Sequence, residues 1–99
     1  MPRGGSQRVT ADGVIGISGQ AIRLYGASIT SGATGGVVNF RNGTAVTDTI
    51  LFSASGTANL TVLVANIPAE GVYFPDGLYV DVDANATAVV CSYEQVIAR

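Results

Sequence analysis

The run with the most chemical character in this chain is Asp81-Val82-Asp83-Ala84-Asn85. A D-x-D-x-N sequence opens an oxygen-ligand calcium loop, which continues with glycine at its sixth position, for the sharp turn, and glutamate at its twelfth, for two more oxygens. Here those positions hold Ala86 and Ser92, and only Asp76, in a preceding turn, could add a ligand. The segment therefore reads as the polar face of an alternating strand that ends in a turn, and no metal site is expected. Catalytic chemistry has as little to work with. The chain has no histidine, no lysine, no tryptophan and one cysteine, so no Ser-His-Asp or Cys-His arrangement can form. Glu70 and Glu94, or the Asp76, Asp81 and Asp83 group, supply the two acids of a paired-carboxylate hydrolase, but nothing places one of them in a desolvating pocket. Cys91 lies between Val89 and Tyr93 on a strand and reads as a small buried hydrophobe. Gly32, Gly35 and Gly36 lack the spacing and the following lysine of a phosphate-binding loop. Asn42, Asn59 and Asn85 each begin an N-x-[ST] triplet, a short motif that a threonine-rich chain produces by chance. The expectation is a protein that is not an enzyme and takes no cofactor.

Composition points to surfaces. Charged residues make up 12% of the 99 residues, about half the usual ~25%. The 13 glycines are about twice the usual ~7% share. Surface that is neither charged nor buried in its own core is commonly buried against a neighbour. Lysine, absent here, is the side chain most depleted from interfaces and a common guard of sheet edges. Five arginines scattered through a chain of net charge −2 give no basic stripe, so nucleic acid is not expected as a partner. Apolar runs such as Ile50-Leu51-Phe52 and Val62-Leu63-Val64-Ala65 are far short of a membrane span, and no membrane association is expected. Met1 is followed by Pro2-Arg3-Gly4-Gly5 rather than by an apolar run, so a signal peptide is not expected. A lone cysteine has no intrachain partner, which fits assembly in a reducing cytoplasm.

The elements that position these residues read as strand and turn throughout. β-branched runs are interrupted by Gly, Asn, Asp and Ser about every 8–12 residues, the pattern of sandwiches and barrels. Residues 1–8, with Arg3 and Arg8 among glycines and polar residues, read as an N-terminal arm, and 9–99 as a single β-domain. A short strand is expected at 14–18. Another at 20–29 puts Ile22, Leu24 and Gly26 on one face and Arg23 and Tyr25 on the other, and 30–36 read as a loop. Asn42-Gly43 favours a type I′ two-residue hairpin turn. That turn would join strands at 37–41 and 44–53 and set Phe40, in the core, opposite Ala45. A strand at 58–67 carries Leu60, Val62 and Val64 on one face. Phe74-Pro75-Asp76-Gly77 suits a type I turn leading into the alternating strand Leu78–Asp83, and a last strand covers 87–95. The predicted fold is all-β: a single-domain antiparallel β-sandwich or jelly-roll-like barrel of about 7–8 strands.

Tyr25 and Tyr79 fall on the more polar faces of their strands, and tyrosine is enriched at interfaces. With Arg3 and Arg8 they are the expected interface residues. The order of Leu24-Tyr25-Gly26-Ala27-Ser28, a Gly/Thr loop, Arg41-Asn42-Gly43 and Gly71-Val72-Tyr73-Phe74-Pro75-Asp76-Gly77-Leu78-Tyr79-Val80 resembles small virion structural proteins of tailed bacteriophages, over about residues 20–95. The resemblance implies a copy-rich, non-enzymatic part of the virion, assembled in the host cytoplasm. The leading expectation is a capsid decoration (cement) protein that contacts the major capsid protein or another virion protein, and its own copies as a homo-oligomer. A neck, tail or fibre component is also compatible. The rival expectation is a small carbohydrate-binding or adhesin module, recognised by clustered exposed aromatics.

Overall fold

The computed structural model describes residues 3–65 and 67–96. These form nine strands and no helix: β1 (Arg3–Val9), β2 (Gly13–Ile15), β3 (Ile22–Ser31), β4 (Val37–Asn42), β5 (Thr49–Ser55), β6 (Thr61–Leu63), β7 (Val72–Phe74), β8 (Leu78–Val82) and β9 (Ala86–Gln95). All pairings are antiparallel. One sheet runs β1-β9-β3-β6, with β7 also pairing β3; the other runs β2-β8-β4-β5. The molecule is thus an antiparallel β-sandwich, as the turn spacing predicts.

Alternation builds the core between the sheets. Ile22, Leu24, Ala27, Ile29 and Ser31 of β3 point inward, opposite Val38 and Phe40 of β4 and Leu78 and Val80 of β8. Full removal of a Val, Leu, Ile or Phe side chain from water contributes roughly 1.5–3 kcal/mol. Phe40 is fully buried and meets Phe52 at 5.7 Å between ring centroids, a tilted packing favoured by the ring quadrupoles. Two glutamine amides fix the segment between β2 and β3. Gln7 donates to the Val14 carbonyl (3.1 Å) and accepts from the Gly16 N–H (2.8 Å). Gln95, buried, accepts from the Ile17 N–H (2.9 Å) and donates to the Ala21 carbonyl (3.0 Å).

Several expectations are corrected. Residues 3–8 are not an arm: they belong to β1, which pairs residue for residue with β9 from Arg3↔Gln95 to Val9↔Val89. Backbone hydrogen bonding needs no apolar side chain, so the Gly-rich composition concealed the strand. Asn42-Gly43 is not a two-residue turn either. β4 runs through Asn42 and the chain returns at Thr49, with Phe40 facing Phe52 rather than Ala45. The reason lies in two side chains. The Asn42 amide is engaged by Asp76, donating to its carboxylate (3.0 Å) and accepting from its N–H (2.8 Å). Asp48 in turn accepts the N–H groups of Thr44 and Ala45, each at 2.9 Å, and so organises a longer loop. Gly43, at φ +147°, has no room for a Cβ beside that carboxylate. The expected strand at 58–67 shrinks to β6, because the chain turns at 57–60, where Leu60 N–H bonds the Thr57 carbonyl. The expected strand at 14–18 shrinks to β2, while β3 extends through Ser31 into the expected loop. Finally, a bulge between Leu24 and Gly26 leaves Tyr25 as the extra residue, so Ala27 and not Gly26 resumes the inward face.

Candidate interaction surfaces

Arg41 and the aspartates are tied to structure. Arg41 donates twice to one Asp81 carboxylate oxygen, at 3.1 and 2.8 Å, and once to the Asp48 carbonyl (2.9 Å). Asp83 accepts the N–H groups of Asn85 (2.9 Å) and Ala86 (3.1 Å) on one oxygen and of Val37 (3.0 Å) on the other. Asp81 and Asp83 therefore hold strands and a turn, and the described residues contain no group of three or more His, Cys, Asp or Glu placed to share a metal ion. A shallow hollow of about 430 Å³ lies beside them, lined by Thr10, Ala11, Asp12, Val82, Asp83, Ala84 and Ala86. Its carboxylates are committed to backbone amides, Asp12 accepting from the Val82 N–H at 2.8 Å. Cys91 is fully buried in the core, and burial pushes its thiol up to about 12. The thiolate is the reactive form, so this cysteine packs rather than reacts.

The expected interface residues do not converge. Tyr25 belongs to the β1-β9-β3-β6 sheet, while Tyr79 lies half-buried on β8 of the other sheet, opposite Val14 and Arg41. Arg8 is exposed on β1 opposite Val90. The Arg3 side chain lies outside the described residues. Tyr25 instead joins a cluster missed from the sequence. Its hydroxyl donates to Glu94 (3.2 Å), while Arg23 sits 5.0 Å from the Tyr73 ring centroid and donates to the Glu70 carbonyl (3.4 Å). Strand register makes this cluster, since Arg23 pairs with Tyr73 on one side and Glu94 on the other. Desolvation and the adjacent Glu94 carboxylate raise the Tyr25 phenol above its ordinary value, against the pull of Arg23. Tyr25 and Tyr73 remain 44% exposed each.

A second surface is apolar. β5 and β6 are the last strands of their respective sheets on the side away from β1 and β2. Along this side Ile50, Leu51, Leu60 and Leu63 are exposed, Leu63 to 83%, with Val46 exposed in the loop before β5. No residue of β5 or β6 is charged. The signal for this edge was present in Ile50-Leu51-Phe52. A strand turns alternate side chains to opposite faces, so three consecutive apolar residues cannot all enter one core. The chain matches no protein-family profile, no curated protein and no solved structure.

Proposed function

We propose that the protein is a non-enzymatic structural component of a bacteriophage particle, acting as a decoration or cement protein that stabilises the capsid through repeated subunit contacts. The observation that carries the reading is the uncharged apolar edge formed by β5 and β6. Apolar side chains exposed on uncharged edge strands suit a surface that another protein covers, and a rigid sandwich behind them lets many identical contacts add by mass action. The resemblance of residues 20–95 to small virion proteins supplies the particle; a neck, tail or fibre position fits the same surface. The test is sedimentation of the purified protein with empty capsids and with tail fractions. Pelleting with capsids, weakened by Leu63→Lys, is the expected result. Failure to bind either fraction overturns the reading.

The Tyr25, Tyr73, Arg23 and Glu94 cluster favours a second reading, a carbohydrate-binding module. Two exposed aromatic rings flanked by hydrogen-bonding charges offer stacking and polar contacts to a sugar. A glycan-array screen with Tyr73→Ala as control tests it, and no binding above the variant's background rules it out.

A further inference from the structure

We infer that the β5 edge is a self-pairing strand, and that two copies of this chain join antiparallel through it about a twofold axis at Ser53. The inference rests on the reading that the β5–β6 edge is a subunit contact, and it names the occupant: a second copy of the chain.

The hydrogen-bond phase of β5 carries the argument. In an antiparallel ladder, alternate residues turn their peptide groups toward one neighbour and then the other. Val37 of β4 sends its N–H to the Asp83 carboxylate, and its carbonyl accepts the Asp83 N–H at 3.1 Å, so its peptide groups face β8 and not β5. Its partner on β5 is Ser55. One step along, Gly56 N–H does bond across, to the Gly36 carbonyl at 2.7 Å. Ser55, and by alternation Ser53, therefore turn their peptide N–H and C=O away from β4, into the open edge. Two such edges satisfy one another in antiparallel register with Ser53 opposite Ser53 of the second copy.

That register also matches side chains. Phe52 falls opposite Ala54, so the large residue meets a small one. With no charge on β5 or β6, the twofold axis brings no like charges together, a condition a self-complementary interface must meet. The bulge between β4 and β5 comes after the Phe40↔Phe52 pair and leaves Phe52–Ser55 as a regular run for pairing.

Ser53→Cys tests the register. A hydrogen-bonded antiparallel pair holds its Cα atoms about 5.5 Å apart, within the Cα separation a disulfide spans. Thr49→Cys, four residues from the axis, would stand about 27 Å from its copy at ~3.4 Å per residue. Cys91 is buried and does not compete. Under mild oxidation Ser53→Cys should run as a linked dimer on a non-reducing gel and Thr49→Cys as a monomer. The unmodified protein should sediment as a dimer, and Leu51→Lys, which places a charge on the edge, should return it to monomer with an unchanged circular dichroism spectrum. A monomer at every concentration from micromolar to submillimolar overturns the inference, as does a dimer in which Thr49→Cys links as readily as Ser53→Cys. A dimer that binds neither capsids nor tails leaves the inference standing and defeats the particle reading. Capsid binding by a strict monomer does the reverse.

Discussion

Asp48 decides the shape of the loop that Asn42-Gly43 alone would have made tight. Its carboxylate receives two backbone N–H groups, from Thr44 and Ala45, while the neighbouring Asp48 carbonyl receives Arg41. Replacing a side-chain acceptor of this kind costs about 1–2 kcal/mol, or roughly 4–8 °C in Tm per kcal/mol for a domain of this size. Asp48→Ala should show that loss in a calorimetric scan, and Asp48→Asn, which keeps one acceptor oxygen, a smaller one. The dipeptide preference was legible in the sequence; the competing partners of Asn42, brought from residue 76 by tertiary structure, were not. At Cys91 the sequence reading and the structure agree on a buried thiol. Its folded value lies above the unfolded value near 9, at about 12. It therefore contributes stability that is complete below pH 9 and is lost as pH rises toward 12. Over that window its share of the slope is a loss of about 1.4 kcal/mol per pH unit. Denaturant titrations of the parent and of Cys91→Ala should diverge in slope over this window and run parallel below it.

Among the elements, β1 departs furthest from its reading as sequence. The described side chains from Gly5 to Val9 are exposed or only half-buried, yet its seven residues complete the ladder of β9, and Gln7 carries it across to β2. Sequence periodicity registers burial, and a strand held by backbone pairing alone leaves no such trace. The strands that do face the core, β3, β4, β8 and β9, were placed within a few residues because alternation and burial coincide there. The bulge at Tyr25 was missed because Leu24-Tyr25-Gly26-Ala27 alternates equally well in either phase until Gly26 is found opposite Ser92. Removing residues 1–9 should lower Tm by about 10 °C or more, since it strips one side of β9 of its partners. This reverses what an arm would do, which is nothing. Gln7→Ala isolates the cross-link between β1 and β2 and should cost about 1–3 kcal/mol, because it leaves the Gly16 N–H and the Val14 carbonyl without their partner. Hydrogen exchange should then rise at Gly16 and along β1 before it rises in β3.

At the scale of the whole molecule, the sandwich has two unequal sides. On one, β1 and β2 are bound together by Gln7 and carry the exposed charge of Arg8. On the other, β5 and β6 end the two sheets with leucines in water and no charge to deter a neighbour. Natural edge strands are guarded by lysine, proline, bulges or brevity. β6 is brief and β5 has its bulge, but the run from Phe52 to Ser55 has neither guard. The low charge content pointed to a covered surface, but composition has no address, and only the strand order placed that surface on one side of the fold. The twofold pairing through this run makes stability depend on concentration. When folding is linked to dimerisation, each tenfold rise in protein adds about 1.4 kcal/mol per dimer, or about 3–5 °C in Tm for a domain of this size. Calorimetric scans over a hundredfold range should show that climb for the parent and a flat line for Leu51→Lys. A flat line for both would mean that the edge stays uncovered in solution, and that its leucines await a different protein.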